Sequence, residues 1–255
     1  MRANDELISM GLKPMTWAEV LQEVEDSLDP EGRAAFARLH RNFVGYLSPD
    51  TLDRFYGFVF TQGLHLALGG YRFHRLSSVL GRLLTLLPPG LSILDVGAGA
   101  GFLARAVARC CSPRALIAQD PCREARAYLA SEGLQVLPHP APAVPPMGPF
   151  DRILCVDSLG EVNADDDGLL AHPGRLPPEE RLDLPQRIEE RYGFAHKLEA
   201  WKPYLAPEGK VLLWEPIADP VAWEAIASGL AAHGWKATVQ GYSAKNMYLE
   251  LDFYI

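Results

Sequence analysis

The sequence predicts an α/β fold: a doubly wound, mainly parallel seven-stranded sheet with an antiparallel C-terminal strand, preceded by an N-terminal helical cap. Three observations carry this. From Leu91 onward short apolar runs alternate with helix-forming stretches, and strands joined through helices pair in parallel. The first run is tied to its helix by Asp95-Val96-Gly97-Ala98-Gly99-Ala100-Gly101, an acid and three alternate glycines. The first ninety residues or so carry helical spacing and caps with no strand among them.

In the N-terminal region Thr16 and Glu19 form a capping box, with Met15 and Val20 placed as a hydrophobic staple. Asp29-Pro30 and Ser48-Pro49 each read as an N-cap followed by proline in the first turn. Apolar residues at helical spacing run from Tyr71 to Leu87, and Pro88-Pro89-Gly90 stops them. The aromatics of RFYGFVF (54–60) fall partly on one helical face and read as core.

The expected strands are ILDV, ALIAQ, LQVL, RILCV and KVLLWE, all apolar enough to be covered on both faces. Helices follow the first two, through about Ala108 and from Pro121 to Ser131. Asp219-Pro220 opens a further helix ending at His233-Gly234, and KATVQGY with MYLELDFYI forms a closing hairpin. The expected organisation is a helical cap or lid over 1–88 and a core over 89–255. Within that core, 163–185 is a polar, proline-containing insertion on the substrate side. The segment 138–149 is half proline and reads as an extended crossing.

A formal net charge of −8 and no basic run argue against general nucleic-acid binding. Cys110, Cys111, Cys122 and Cys155 show neither metal-ligand spacing nor a disulfide framework, so buried thiols in a reducing compartment are expected. The first residues lack an apolar leader core, and no apolar run reaches membrane length. A cytoplasmic location is the expectation.

Alternating glycines between a strand and a helix allow a tight turn and close backbone approach, and the helix start offers unpaired N–H groups. Two ligand classes use such a turn. Dinucleotides use G-x-G-x-x-G/A, read here as Gly99, Gly101 and Ala104. An adenosyl-sulfonium cofactor uses an acid two residues before G-x-G-x-G, read as Asp95, Gly97, Gly99 and Gly101. The second pattern fits every position, and Asp95 would repel a pyrophosphate but suit an ammonium group. A glycine turn required by packing alone is the third reading.

With these residues, the stretch from about 70 to 255 resembles the class I S-adenosylmethionine-dependent methyltransferases. The resemblance implies that Gly97, Ala98, Gly99 and Gly101 line the cofactor. It places a ribose-binding acid after the second strand, at Asp120 with Pro121 beside it. Asp120 stands 19 residues past Gly101, near the roughly 20 known for such acids; the other reading of Asp120 is a helix cap. Where the family often carries an adenine-contacting acid, this chain has His139-Pro140, either an adenine contact or surface.

After the fourth strand the resemblance places Asp157 and Ser158 beside cofactor and acceptor. Glu161, with Asp157, is the candidate catalytic pair, Glu161 as proton acceptor or alternatively a solvated acid at a helix start. Arg72 either meets the cofactor carboxylate or snorkels at the surface. Asp165-Asp166-Asp167 reads as a solvated loop, and no metal is expected. Trp214, ending the fifth strand, reads as packing.

The implied activity is methyl transfer from S-adenosylmethionine, leaving S-adenosylhomocysteine, to an oxygen or nitrogen of a small-molecule, secondary-metabolite or peptide acceptor. The absence of an Asn/Asp-Pro-Pro-Tyr/Phe motif argues against base amino groups. The alternatives are an NAD(P)-type oxidoreductase and a cofactor-binding regulatory protein without turnover.

Overall fold

The computed structural model describes residues 3–45, 48–139, 148–158, 170, 173–217, 219–241 and 248–253. Seven strands hydrogen-bond in one sheet in the order β3-β2-β1-β4-β5-β7-β6: β1 (Ser92–Val96), β2 (Ala115–Gln119), β3 (Gln135–Val136), β4 (Phe150–Val156), β5 (Leu205–Trp214), β6 (Trp235–Gln240) and β7 (Tyr248–Phe253). The expected doubly wound sheet is therefore present, with β7 its antiparallel member. The chain forms two compact units, one of residues 1–90 with 98–140, the other of residues 91–97 with 141–255.

The first unit is built on helices whose starts are written locally. Helix α1 spans Ala3–Ser9. Helix α2 (Trp17–Ser27) begins at Thr16, whose hydroxyl accepts from the Glu19 amide while the Glu19 carboxylate accepts from the Thr16 amide at 2.6 Å. Helix α3 (Pro30–Gly45) is capped by Asp29, which accepts from the Gly32 amide at 2.7 Å. Ser48 caps α4 (Pro49–Thr61) by accepting from the Thr51 amide. Each cap satisfies a backbone donor that the first turn leaves orphaned.

Helix α5 (His65–Tyr71) and α6 (Phe73–Leu86) meet at Arg72, so the expected helix from Tyr71 starts two residues later. Val24, Leu28, Phe36, Phe55, Val59 and Leu64 form a core of their own, with Trp17 and Phe43 packed against it. Phe55 and Val59 come from RFYGFVF, so its core reading holds. Helix α7 (Phe102–Cys111) runs slightly past its expected end, and α8 (Arg123–Ser131) starts two residues late because Cys122 is still extended. Strand β3 pairs in parallel with β2.

In the second unit β1, β4 and β5 are parallel, with Val96 level with Cys155, and Cys155 level with Leu213. All five residues of β1 are buried, as the continuous apolar run requires. Strand β7 pairs antiparallel with β5 and with β6, giving the expected hairpin. Helix α12 (Pro220–Ala232) is capped by Asp219, which accepts from the Val221 amide at 2.9 Å. Trp214 is buried and stacks on Tyr248 with centroids 4.4 Å apart, in keeping with its packing reading.

The polar stretch 163–185 is in its second half structured, unlike a plain excursion. Residues Pro173–Arg175 form a 3-10 turn, followed by α9 (Pro178–Arg181), α10 (Leu184–Tyr192) and α11 (Phe194–Glu199). Leu184, Ile188 and Tyr192, four apart, bury one face of α10. No helix among the described residues is long and apolar enough to cross a membrane. All four cysteines are free, Cys110 half-buried and the others buried.

Candidate functional site

The sheet order reverses direction between β1 and β4, and ligands of open α/β sheets bind outside the carboxyl ends of strands at such a switch point. The glycine turn leaves β1 there, and the Asp157-Ser158 turn leaves β4.

All three glycines of the turn are left-handed, with φ of +70° at Gly97, +56° at Gly99 and +68° at Gly101. This conformation alone favours glycine, but their surroundings differ. In the second unit, a Cβ on Gly97 would stand 2.4 Å from the Ser158 Cβ. In the first, a Cβ on Gly101 would stand 2.5 Å from Leu129 and 3.0 Å from Leu134. Gly97 and Gly101 are thus required by the protein's own packing. A Cβ on Gly99 would meet nothing within 4 Å among the described residues. Of the three, Gly99 alone has no described residue against its bare face.

Around Gly99 the backbone is fixed by β2 and its following residue. The Ala98 amide donates to the Gln119 carbonyl at 2.9 Å, and the Gly101 amide to the Ala98 carbonyl at 2.8 Å. Asp120, 7% exposed, accepts from the Gly99 amide through Oδ2 and from the Cys122 amide through Oδ1, each at 2.8 Å. It therefore performs the capping expected of it and also holds the turn. Arg126 Nη1 donates to the carbonyls of Asp120 and Pro121. Burial raises the Asp120 carboxyl above its ordinary range, against the opposing pull of the two amides, Arg126 and His139.

His139 is exposed, with Nδ1 3.4 Å from the amide nitrogen of buried Gln119. Arg72 serves as the hinge residue between α5 and α6, where its carbonyl accepts from the Leu76 amide at 2.9 Å. Pro140, Glu161 and Asp165–Asp167 lie outside the described residues.

In the second unit Asp95 is 3% exposed and pairs its Cα with Leu154. Asp157 is left-handed at φ +50°, a strained conformation for a side chain that bears a Cβ. Its amide donates to the Trp214 carbonyl at 2.7 Å. The Ser158 amide donates to Glu215 Oε1 at 3.2 Å, and Glu215 is 2% exposed. Burial, then the charges of Glu215 and Asp95, hold the Cys155 thiol far above its usual range. The sequence places Trp214-Glu215-Pro216 at the functional edge of the sheet but assigns no role to Glu215. The signal available was an acid closing the apolar run VLLW, a place where a carboxylate is desolvated unless it is used.

One group of metal-ligating atoms occurs among the described residues: Asp53, Cys122 and Glu124, within 4.8 Å of one another. The Cys122 thiol lies 3.6 Å from Glu124 Oε2 as donor, and burial pushes it up to about 11.

No family model matches the chain, and no curated protein matches it. Solved structures similar to it include the ribosomal protein L11 methylase of Lactobacillus delbrueckii subsp. bulgaricus, at 16% identity over 72% of this chain and 80% of that one, TM-score 0.44. Precorrin-6y C5,15-methyltransferase of Geobacter metallireducens is similar at 12% identity over 70% and 89%, TM-score 0.43. A cyclase, SpnF, is similar at 16% identity over 76% and 74%, TM-score 0.47. These likenesses assign neither residues nor substrate to this chain.

Proposed function

We propose that the protein is an S-adenosylmethionine-dependent methyltransferase acting on an oxygen or nitrogen nucleophile of a small-molecule or peptide acceptor. The observation that carries the reading is the Gly99 face, against which no described residue packs, with its amide on the buried Asp120 carboxylate. A backbone that a ligand can approach closely stands there beside an acid whose remaining lone pairs suit ribose hydroxyls.

In this reading Gly97 through Gly101 cradle the cofactor and Asp120 takes the ribose. Asp95 takes the ammonium group, and Arg72 the carboxylate. His139 with Pro140 lies toward the adenine. When bound, the cofactor supplies an electrophilic methyl group on a sulfonium. The chain's own task is to align the acceptor with that group and to keep water out. Asp157 and Ser158 stand at the acceptor end, and Glu161 is the candidate proton acceptor for a hydroxyl or amine. Residues 1–88 serve as cap, and the 163–185 segment faces the acceptor.

Thermal denaturation in the presence of S-adenosylhomocysteine, NAD or NADP tests the cofactor. A rise in melting temperature with S-adenosylhomocysteine alone supports the reading, and a rise with NAD or NADP alone overturns it. Mass spectrometry of acceptors incubated with S-adenosylmethionine then separates an enzyme from a protein that binds without turnover.

A further inference from the structure

We infer that Glu215 is a positioning residue for the cofactor site proposed above, holding the strained Asp157-Ser158 turn against Gly97 through the hydrogen bond it accepts from the Ser158 amide. The inference rests on that cofactor reading and goes beyond it.

Four observations meet at this point in the second unit. Asp157 sits at φ +50°, a conformation that a non-glycine residue keeps only when its surroundings impose it. The end of β5 supplies the imposing contacts: the Trp214 carbonyl accepts from the Asp157 amide at 2.7 Å, and Glu215 Oε1 from the Ser158 amide at 3.2 Å. Ser158 then lies so close to Gly97 that a Cβ there would stand 2.4 Å from its own. Ser158 Oγ is buried, and its side chain bonds toward the Cys155 thiol, which it pulls down against the larger effect of burial, while the two backbone amides tie the turn to the end of β5.

A buried carboxylate is costly, and Glu215 is 2% exposed. A backbone carbonyl serves the neighbouring amide of the same turn, so capping by itself needs no side chain. A carboxylate reaches one residue further and fixes where Ser158 stops. The first glycine of the turn thus has its position set from β5 by way of Ser158, although Glu215 need touch no cofactor atom.

Two substitutions separate reach from charge. Glu215→Gln keeps an oxygen at the same distance and removes the charge; Glu215→Asp keeps the charge and withdraws the oxygen by one methylene. Calorimetric titration of the full chain with S-adenosylhomocysteine should give Glu215→Gln a Kd within about threefold of wild type and Glu215→Asp a Kd about tenfold weaker, a loss of about 1.4 kcal/mol. Melting temperatures of the two variants, measured alongside, should differ by less than their affinities imply. Equal wild-type affinity in both variants would overturn the inference, as would a loss in Gln that Asp spares, which would assign the effect to charge. Absence of binding by the wild type would overturn the cofactor reading itself, and this inference with it.

Discussion

The Gly99 amide donates to Asp120 Oδ2 at 2.8 Å across 21 residues of chain, and the Asp120 Oδ1 atom accepts from the Cys122 amide at the same distance. One carboxylate thereby ties the glycine turn after β1 to the start of the segment leading into α8. Replacing it by alanine leaves two amides without their acceptor, at a cost of about 1–3 kcal/mol in stability. Asp120→Ala is expected to melt roughly 2–10 °C lower by calorimetry and to lose most of its affinity for S-adenosylhomocysteine.

Asp120 also sets a pH dependence of binding. Burial raises its folded pKa above the ordinary 3.8, so the folded protein takes up this proton before the unfolded chain does. As the pH falls, this group therefore does not destabilise the fold. Under the proposed function ribose hydroxyls would donate to the charged form, so affinity for S-adenosylhomocysteine should weaken as pH falls through the raised pKa. Titrations between pH 8 and pH 4.5 check this, and Asp120→Asn should flatten the profile.

Gly99 and Gly101 predict different phenotypes. Gly99→Ala adds a methyl that meets no described residue and costs the left-handed backbone strain, about 1–2 kcal/mol. Gly101→Ala adds that strain to a collision with Leu129 and Leu134, about 1–3 kcal/mol more. Urea unfolding should rank Gly101→Ala as the less stable of the two, while Gly99→Ala, still folded, loses cofactor binding. Equal stabilities would contradict the packing role of Gly101.

His65 stacks on Phe60, with centroids 5.5 Å apart, and lies tilted against Tyr128, 4.3 Å apart. Its Nδ1 is buried without a hydrogen-bond partner among the described residues. Burial lowers its pKa, with Glu132 pulling it up and Arg105 pushing it down. A histidine with a depressed folded pKa contributes stability above its unfolded pKa near 6.5, and that stability is lost as pH falls below it. The urea midpoint should therefore drop from pH 7.5 to pH 5.5, and His65→Phe should reduce the drop.

What the sequence disclosed was local. Asp29-Pro30, Ser48-Pro49 and the Thr16–Glu19 box name their helices because a cap and its donor sit within three residues. The strands were legible for the same reason, as apolar runs bounded by turn residues. The distinct duties of the glycines were not. Gly97 depends on Ser158, and Gly101 on Leu129 and Leu134, partners that only the fold brings near. Glu215 was hidden likewise, since its bond to Ser158 spans 57 residues. The helices of 173–199 were obscured by proline and acidic residues, which suggest a loop yet here occupy first turns, as at Pro178 and Pro185.

Isothermal titration calorimetry of the full chain with S-adenosylhomocysteine, beside parallel titrations with NAD and NADP, tests the proposed function most directly. Saturable binding of S-adenosylhomocysteine, strongly weakened in Asp120→Ala and absent with the dinucleotides, is the expected result. Saturable binding of NAD or NADP with no heat from S-adenosylhomocysteine would contradict it.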